Sequence, residues 1–219
     1  MEQTTTAHEL KEQGVRLFEE RKYDQAIARF EKAREMFAAE NDEGGVANME
    51  GLRLYIEGLR DEAAAQFEQA RDLFAAAGNE VEAAEMTNNL GLIYLEQDKL
   101  SEAIAALQEA REAFERLGDR SRQARTLGNQ GRLYVRQGER AKAIECLRQA
   151  ADVFGDLGDS QRQGETLLEL GLQTWKSGDR SAGLAAYEGG LQTLKHPTTR
   201  QKAVVKMLRL RTRLLGGGK

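Results

Sequence analysis

The chain has 219 residues, 40% of them apolar and 31% charged, a balance that fits one large or two small soluble domains and excludes a disordered chain. A single proline, Pro197, together with few β-branched and aromatic residues, excludes a sheet protein and leaves an all-α fold. The net charge of -4 hides an asymmetry: residues 196–219 hold seven Lys/Arg and no Asp/Glu, so a body of -11 precedes a tail of +7.

In chain order, Met1 to His8 is polar and lacks the apolar core of a signal peptide. No later stretch nears the ~20 apolar residues that span a bilayer, so a cytoplasmic location is expected. Thr6, followed three residues on by Glu9, reads as a capping box that opens the first helix. First helices of successive hairpins are expected near 7–20, 44–57, 80–97, 120–137 and 160–177, and second helices near 23–39, 60–77, 100–117, 140–157 and 180–195. The turns within hairpins are marked by Gly58-Leu59-Arg60-Asp61, Gly138-Glu139-Arg140 and Gly178-Asp179-Arg180. Between hairpins, Gly78-Asn79, Leu117-Gly118-Asp119 and Leu157-Gly158-Asp159 place a terminating glycine before an N-capping side chain. Pro197 is expected to start a final helix in its first turn.

The periodicity is carried by columns. Gly51, Gly91, Gly131 and Gly171 recur every 40 residues, with Gly14 preceding them by 37. Twelve residues after each stands a small residue, Ala26, Ala63, Ala103, Ala143 or Gly183. Four further on come Phe30, Phe67, Leu107, Leu147 and Tyr187, and three later the small residue returns as Ala33, Ala70, Ala110, Ala150 and Gly190. Small residues let two helix axes approach and bulky ones fill the space beside them, so each repeat is one helical hairpin. Glycine in a helix interior is unfavourable by roughly 1 kcal/mol per site, and on that ground the fifth hairpin, with Gly183 and Gly190, is expected to be the loosest.

The columns resemble the tetratricopeptide repeat, and the stretch Leu127-Gly128-Asn129-Gln130-Gly131-Arg132-Leu133-Tyr134 with Ala143 and Ala150 is similar to that family's signature. The 40-residue period with Leu-Gly-Asp joints is similar to the longer variant found in kinesin light chains, LGN/Pins adaptors and bacterial regulators; the family's usual proline after the second helix is absent. The resemblance implies a right-handed α-solenoid of five repeats over 1–196 (near 7–43, 44–79, 80–119, 120–159 and 160–196), closed by a basic capping helix over 197–215 and a flexible tail over 216–219. It also implies that first helices line a concave wall that holds a peptide or helix of a partner protein.

By the same resemblance, the positions that face that wall are His8, Lys11, Glu12 and Val15 in the first repeat, then Asn48, Met49, Leu52 and Tyr55. The third repeat gives Glu85, Asn88, Asn89, Leu92 and Glu96, the fourth Arg125, Asn129, Arg132 and Arg136, and the fifth Glu165, Leu168, Leu172 and Lys176. Asn89 and Asn129 each stand two residues before a signature glycine, where a carboxamide can satisfy both the N–H and the C=O of an extended peptide; the alternative is a bond to their own or a neighbouring helix. Arg122, Arg125, Arg132 and Arg136 share one helical face with Asn129 at about 100° per residue. Guanidinium forks there suit carboxylates of an acidic partner, or else pair in register with Glu85, Glu165 and Glu96. Arg132 has Leu92 and Leu172 in register and is the arginine most open to a ligand. Exposed ion pairs give ~0.2–1 kcal/mol each, so apolar contacts from Leu52, Tyr55, Leu92, Leu172 and Trp175 have to supply most of the affinity, although a large aromatic placed like Trp175, near the end of a first helix, is more often a core residue.

The final helix has an apolar side of Ala203, Val204, Met207, Leu208 and Leu210 and a basic one of Arg200, Lys202, Lys206, Arg209 and Arg213. It reads as a cap, or as a docking surface for an acidic partner or anionic membrane. Without an aromatic residue after Tyr187, nucleic acid has no stacking platform. No nucleophile–histidine pair, phosphate loop or metal-ligand cluster is present in the sequence, and Cys146 is a lone thiol. The expected function is therefore a non-enzymatic, cofactor-free protein-binding adaptor or scaffold, with a regulatory or assembly subunit acting through its convex face or C-terminal helix as the alternative.

Overall fold

The computed structural model describes residues 5–215, with Leu215 described by its backbone alone; the tail expected over 216–219 lies outside the described residues. Eleven α-helices and no strand occur among the described residues. They are α1 (Ala7–Glu19), α2 (Tyr23–Ala39), α3 (Glu43–Glu57), α4 (Arg60–Ala76), α5 (Glu80–Glu96), α6 (Leu100–Arg116), α7 (Arg120–Arg136), α8 (Arg140–Asp156), α9 (Ser160–Ser177), α10 (Arg180–Thr193) and α11 (Thr199–Leu215). The fold is thus an all-α helical repeat, with helix ends within two residues of those expected. No described helix is long and apolar enough to cross a membrane.

The helix ends follow from local chemistry. Thr6 and Glu9 form the reciprocal capping box, with Glu9 N–H donating to Thr6 Oγ1 at 3.2 Å and Thr6 N–H to Glu9 Oε2 at 2.9 Å. Asn79, Asp119 and Asp159 cap α5, α7 and α9 by accepting from the backbone N–H three residues on. Gly58, Gly78, Gly118, Gly138, Gly158 and Gly178 all take positive φ in the turns, a conformation that Arg21, Asn41 and Asp98 adopt with a side chain. The final helix starts later than expected: Thr198 and Gln201 cap it reciprocally, and Pro197 precedes that cap rather than lying in the first turn.

Two compact units make up the chain, residues 1–113 and 114–219. In the first, α1 to α5 pack each on the next. Phe30, Phe37 and Met49 join Leu10 in one core cluster, and Phe67, Phe74, Met86, Leu90 and Ile93 form a second. The glycine column works by close approach: a Cβ on Gly51 would lie 2.7 Å from the Phe67 ring, and one on Gly91 2.8 Å from Leu107. At the start of α3, Gly44 and Gly45 likewise make room for Phe74 on one side and Phe37 on the other, so this short turn of backbone is gripped by a phenylalanine from each neighbouring second helix.

In the second unit α7 to α11 also pack each on the next. Gly131 receives Leu147, and Ala124, Leu127, Ala150 and Phe154 form a core between α7 and α8. The fifth hairpin corrects the expectation of looseness. A Cβ on Gly183 would sit 2.6 Å from Trp175 Cα and 2.7 Å from Gly171 O, and one on Gly171 2.6 Å from Tyr187 N. Here the missing methyl groups bring two backbones together instead of leaving a gap. Leu168, Tyr187 and Leu194 then meet Val205 and Leu208 of α11, and Tyr187 O–H donates to Gln201 O at 3.3 Å.

Candidate functional site

In the first unit the wall positions divide sharply. Asn48 is 1% exposed and Met49 lies in the core. Lys11 is also buried, its Nζ 2.5 Å from Glu82 and 3.8 Å from Glu85, so a charge cluster ties α1 to α5, two hairpins away. Sequence reasoning placed Lys11 and Glu85 on the wall but did not find Glu82 or the pairing; nothing in a 40-residue period reports a contact that skips a repeat. His8 is exposed and meets the edge of Phe37 at 5.1 Å between ring centroids.

Asn88 is 2% exposed, and its Nδ2 donates to Asn89 Oδ1 at 3.4 Å. Asn89 and Leu92 are half-buried, as are Leu52 and Tyr55, which pack beside the core clusters. Tyr55 is also the centre of an aromatic and charged group. Its ring meets Phe18 at 5.9 Å, carries the Arg60 guanidinium 4.1 Å from its centroid, and its O–H donates to Glu96 at 2.5 Å. Glu96 therefore already pairs with Tyr55 and Arg60 within its own unit. On α2 and α3, Arg34 and Arg53 both reach Glu50. The hydrogen bond from Arg53, opposed by burial and reinforced by the charges of Arg53 and Arg34, holds the Glu50 carboxyl below its ordinary value.

In the second unit the face of α7 that carries Arg125, Arg132 and Arg136 is cationic. Asp119 fixes its start, accepting from Arg122 N–H at 2.9 Å and pairing with the Arg122 guanidinium at 2.7 Å. Burial alone would push the Asp119 carboxyl up; the Arg122 backbone and side-chain hydrogen bonds, with the charges of Arg122 and Arg125, outweigh it and hold the group below its ordinary value. Arg122 is thus committed to a cap. Arg125 is half-buried, Arg132 and Arg136 are exposed, and Asn129 is buried at 8% exposure. Arg132 makes no hydrogen bond or ion pair with any described residue. Beside it, a Cβ on Gly128 would meet nothing within 4 Å, so this part of the helix is bare backbone under open space.

On α9, Leu172 is half-buried against the cluster formed with α10 and α11. Trp175 packs against the same cluster and its Nε1–H donates to Thr212 Oγ1 at 3.3 Å. The lone tryptophan therefore serves the join to α11. No group of three or more metal-ligating side chains forms among the described residues.

No curated protein matches the sequence. Among solved structures, the chain is similar to a Rap conjugation gene regulator of plasmid pLS20, determined with the Phr* peptide, at TM-score 0.76 and 19% identity over 97% of this chain. It covers 59% of that regulator, so the chain spans well under two thirds of its length. A thermophilic tetratricopeptide-repeat protein of Thermus thermophilus matches at TM-score 0.68 and 18% identity, covering 94% of this chain and all of the other. BtubC (BKLC) from P. vanneervenii matches at TM-score 0.67 and 21% identity, over 87% and 82% of the two chains. Residues 81–156 match the tetratricopeptide-repeat family model, and the helical-repeat fold of the chain is similar to that of these solved structures.

Proposed function

We propose that the chain is a protein-binding adaptor, without catalytic activity of its own, that captures a peptide segment of a partner through the arginine-bearing face of α7, with carboxylates of that segment meeting Arg132. The observation that carries this reading is the contrast between neighbouring arginines: Arg122 is spent on Asp119, whereas Arg132 is exposed and makes no ion pair with a described residue. Arg136 is exposed on the same face, and the open space over Gly128 lets a ligand backbone approach the helix closely. A guanidinium fork takes a carboxylate in a bidentate way, and partly exposed apolar side chains such as Leu172 add the burial that charges alone do not supply. The fold is one in which a similar protein, the Rap regulator, was determined with a peptide, which supports a peptide as the class of ligand. In the first unit the half-buried Asn89, Leu92, Leu52 and Tyr55 offer a second, more apolar set of contacts of the same kind, whereas Asn88 and Asn129 are buried.

The test is a titration of an acidic peptide and of its scrambled and Gln-substituted forms against the wild-type chain and Arg132→Glu. The charge reversal is expected to weaken the acidic peptide at least tenfold and to leave the Gln form unaffected. Equal affinities for both chains would remove α7 from the binding surface.

A further inference from the structure

The apolar residues of α11 fall on two faces, not one. Val205 and Leu208 are buried against Leu168, Tyr187 and Leu194, while on the far side Met207, Leu210 and Leu214 are 46%, 59% and 72% exposed. With the exposed Ala203 they are spaced four, three and four residues apart. At about 100° per residue they fall within roughly 60° of one another, and about 160° from the buried seam. Elsewhere among the described residues, large exposed apolar side chains stand singly at turns or helix starts, as Leu59, Leu117 and Leu157 do. Single ones need no explanation, but a continuous stripe does.

Basic side chains line both edges of this stripe. Lys202, Lys206 and Arg213 lie along one edge, Arg200 and Arg211 along the other, and the helix has no acidic residue. One further arginine on the first edge, Arg209, turns back to Glu188 at 2.5 Å. A four-three-four stripe one or two side chains wide is the seam of a two-helix coiled coil. Interfacial membrane helices use a broader face and favour aromatic anchors, and α11 has none. Pairing with α11 of a second copy would set basic edge against basic edge.

We infer that the exposed stripe of α11 docks an acidic amphipathic helix of a partner protein, with Met207, Leu210 and Leu214 in the seam and the flanking Lys/Arg meeting Asp/Glu at its edges. The contact is separate from the α7 face and does not depend on it. The buried seam through Val205 and Leu208 holds the ridge in place, so docking requires no opening of the fold.

The probe is a designed helical peptide with Leu at every seam position and Glu along both edges, set against the same peptide with Lys edges and against phosphatidylserine vesicles, using the full chain. Binding of the Glu peptide is expected to fall at least tenfold in Met207→Ser/Leu210→Ser and in Lys206→Glu/Arg213→Glu. The Lys-edged peptide is expected not to bind. Both double variants change exposed side chains, and an unchanged thermal melt verifies that each is folded. The proposal is overturned if the Glu peptide fails to bind, if it binds the double-serine variant as well as wild type, or if vesicles are captured through the stripe and the peptide is not. Self-association of the wild-type chain that the double-serine variant abolishes would equally overturn it in favour of a second copy.

Discussion

Gly183 shows how a residue can carry opposite meanings in isolation and in place. By helix propensity its replacement with alanine gains about 1 kcal/mol. In the structure that methyl group would lie 2.6 Å from Trp175 Cα, against backbone that no rotamer change can move. Gly183→Ala is therefore expected to destabilise the chain by roughly 2 kcal/mol or more through overpacking, and urea unfolding decides the sign; a stabilised variant would restore the looser packing that propensity suggests. Arg21 presents the reverse case. It holds φ 61 in a turn where the second, fourth and fifth repeats place glycine, is exposed, and supports no cap hydrogen bond through its side chain. Relief of left-handed strain, set against the greater freedom of glycine in the unfolded chain, predicts a gain of roughly 0.5–1 kcal/mol for Arg21→Gly, readable as a small rise in the urea midpoint.

At the scale of elements, the hairpins are joined by apolar contacts between neighbours, and the contact of α1 with α5 departs from that rule. Lys11 carries it, buried between Glu82 and Glu85. Replacing it with methionine keeps the aliphatic stem but leaves two carboxylates crowded in a low-dielectric setting, so Lys11→Met is expected to cost roughly 1–3 kcal/mol. Adding Glu82→Gln should recover part of the loss, and a double-mutant cycle by chemical denaturation measures the coupling. Strictly additive losses would mean that the ion pair contributes nothing. The α7 face shows the complementary arrangement, in which Arg122 is consumed by the helix cap and Arg132 is exposed.

For the whole molecule, acid stability follows from the two depressed carboxyls. Asp119 and Glu50 have ordinary values of 3.8 and 4.5, and both are held lower in the folded chain by arginines. Groups shifted in this direction add stability that is fully present above their unfolded values and is lost as pH falls through their folded ones. Urea midpoints are thus expected to hold steady from neutral pH to about 5 and to decline below about 4. The decline should be shallower in Asp119→Asn, which retains a capping oxygen but no titrating charge. The proposed contacts at α7 and α11 both rest on Lys/Arg side chains, so each is expected to weaken as salt is raised, which titrations at two ionic strengths measure.

Helix positions, turns and the packing columns are local properties, and the sequence determined them: a glycine every 40 residues, a bulky side chain sixteen later and an Asn or Asp at each joint admit few other arrangements. The inward asparagines were legible as positions, yet how far each reaches the surface was not. Asn48 and Asn88 are buried whereas Asn89 is half-open, because burial depends on which neighbouring helix lies over a face. The tertiary structure alone decided the link from Lys11 to Glu82, the tight fifth hairpin and the division of α11 into a buried seam and an exposed stripe. Each of these depends on distances between helices, which a period in one dimension does not encode.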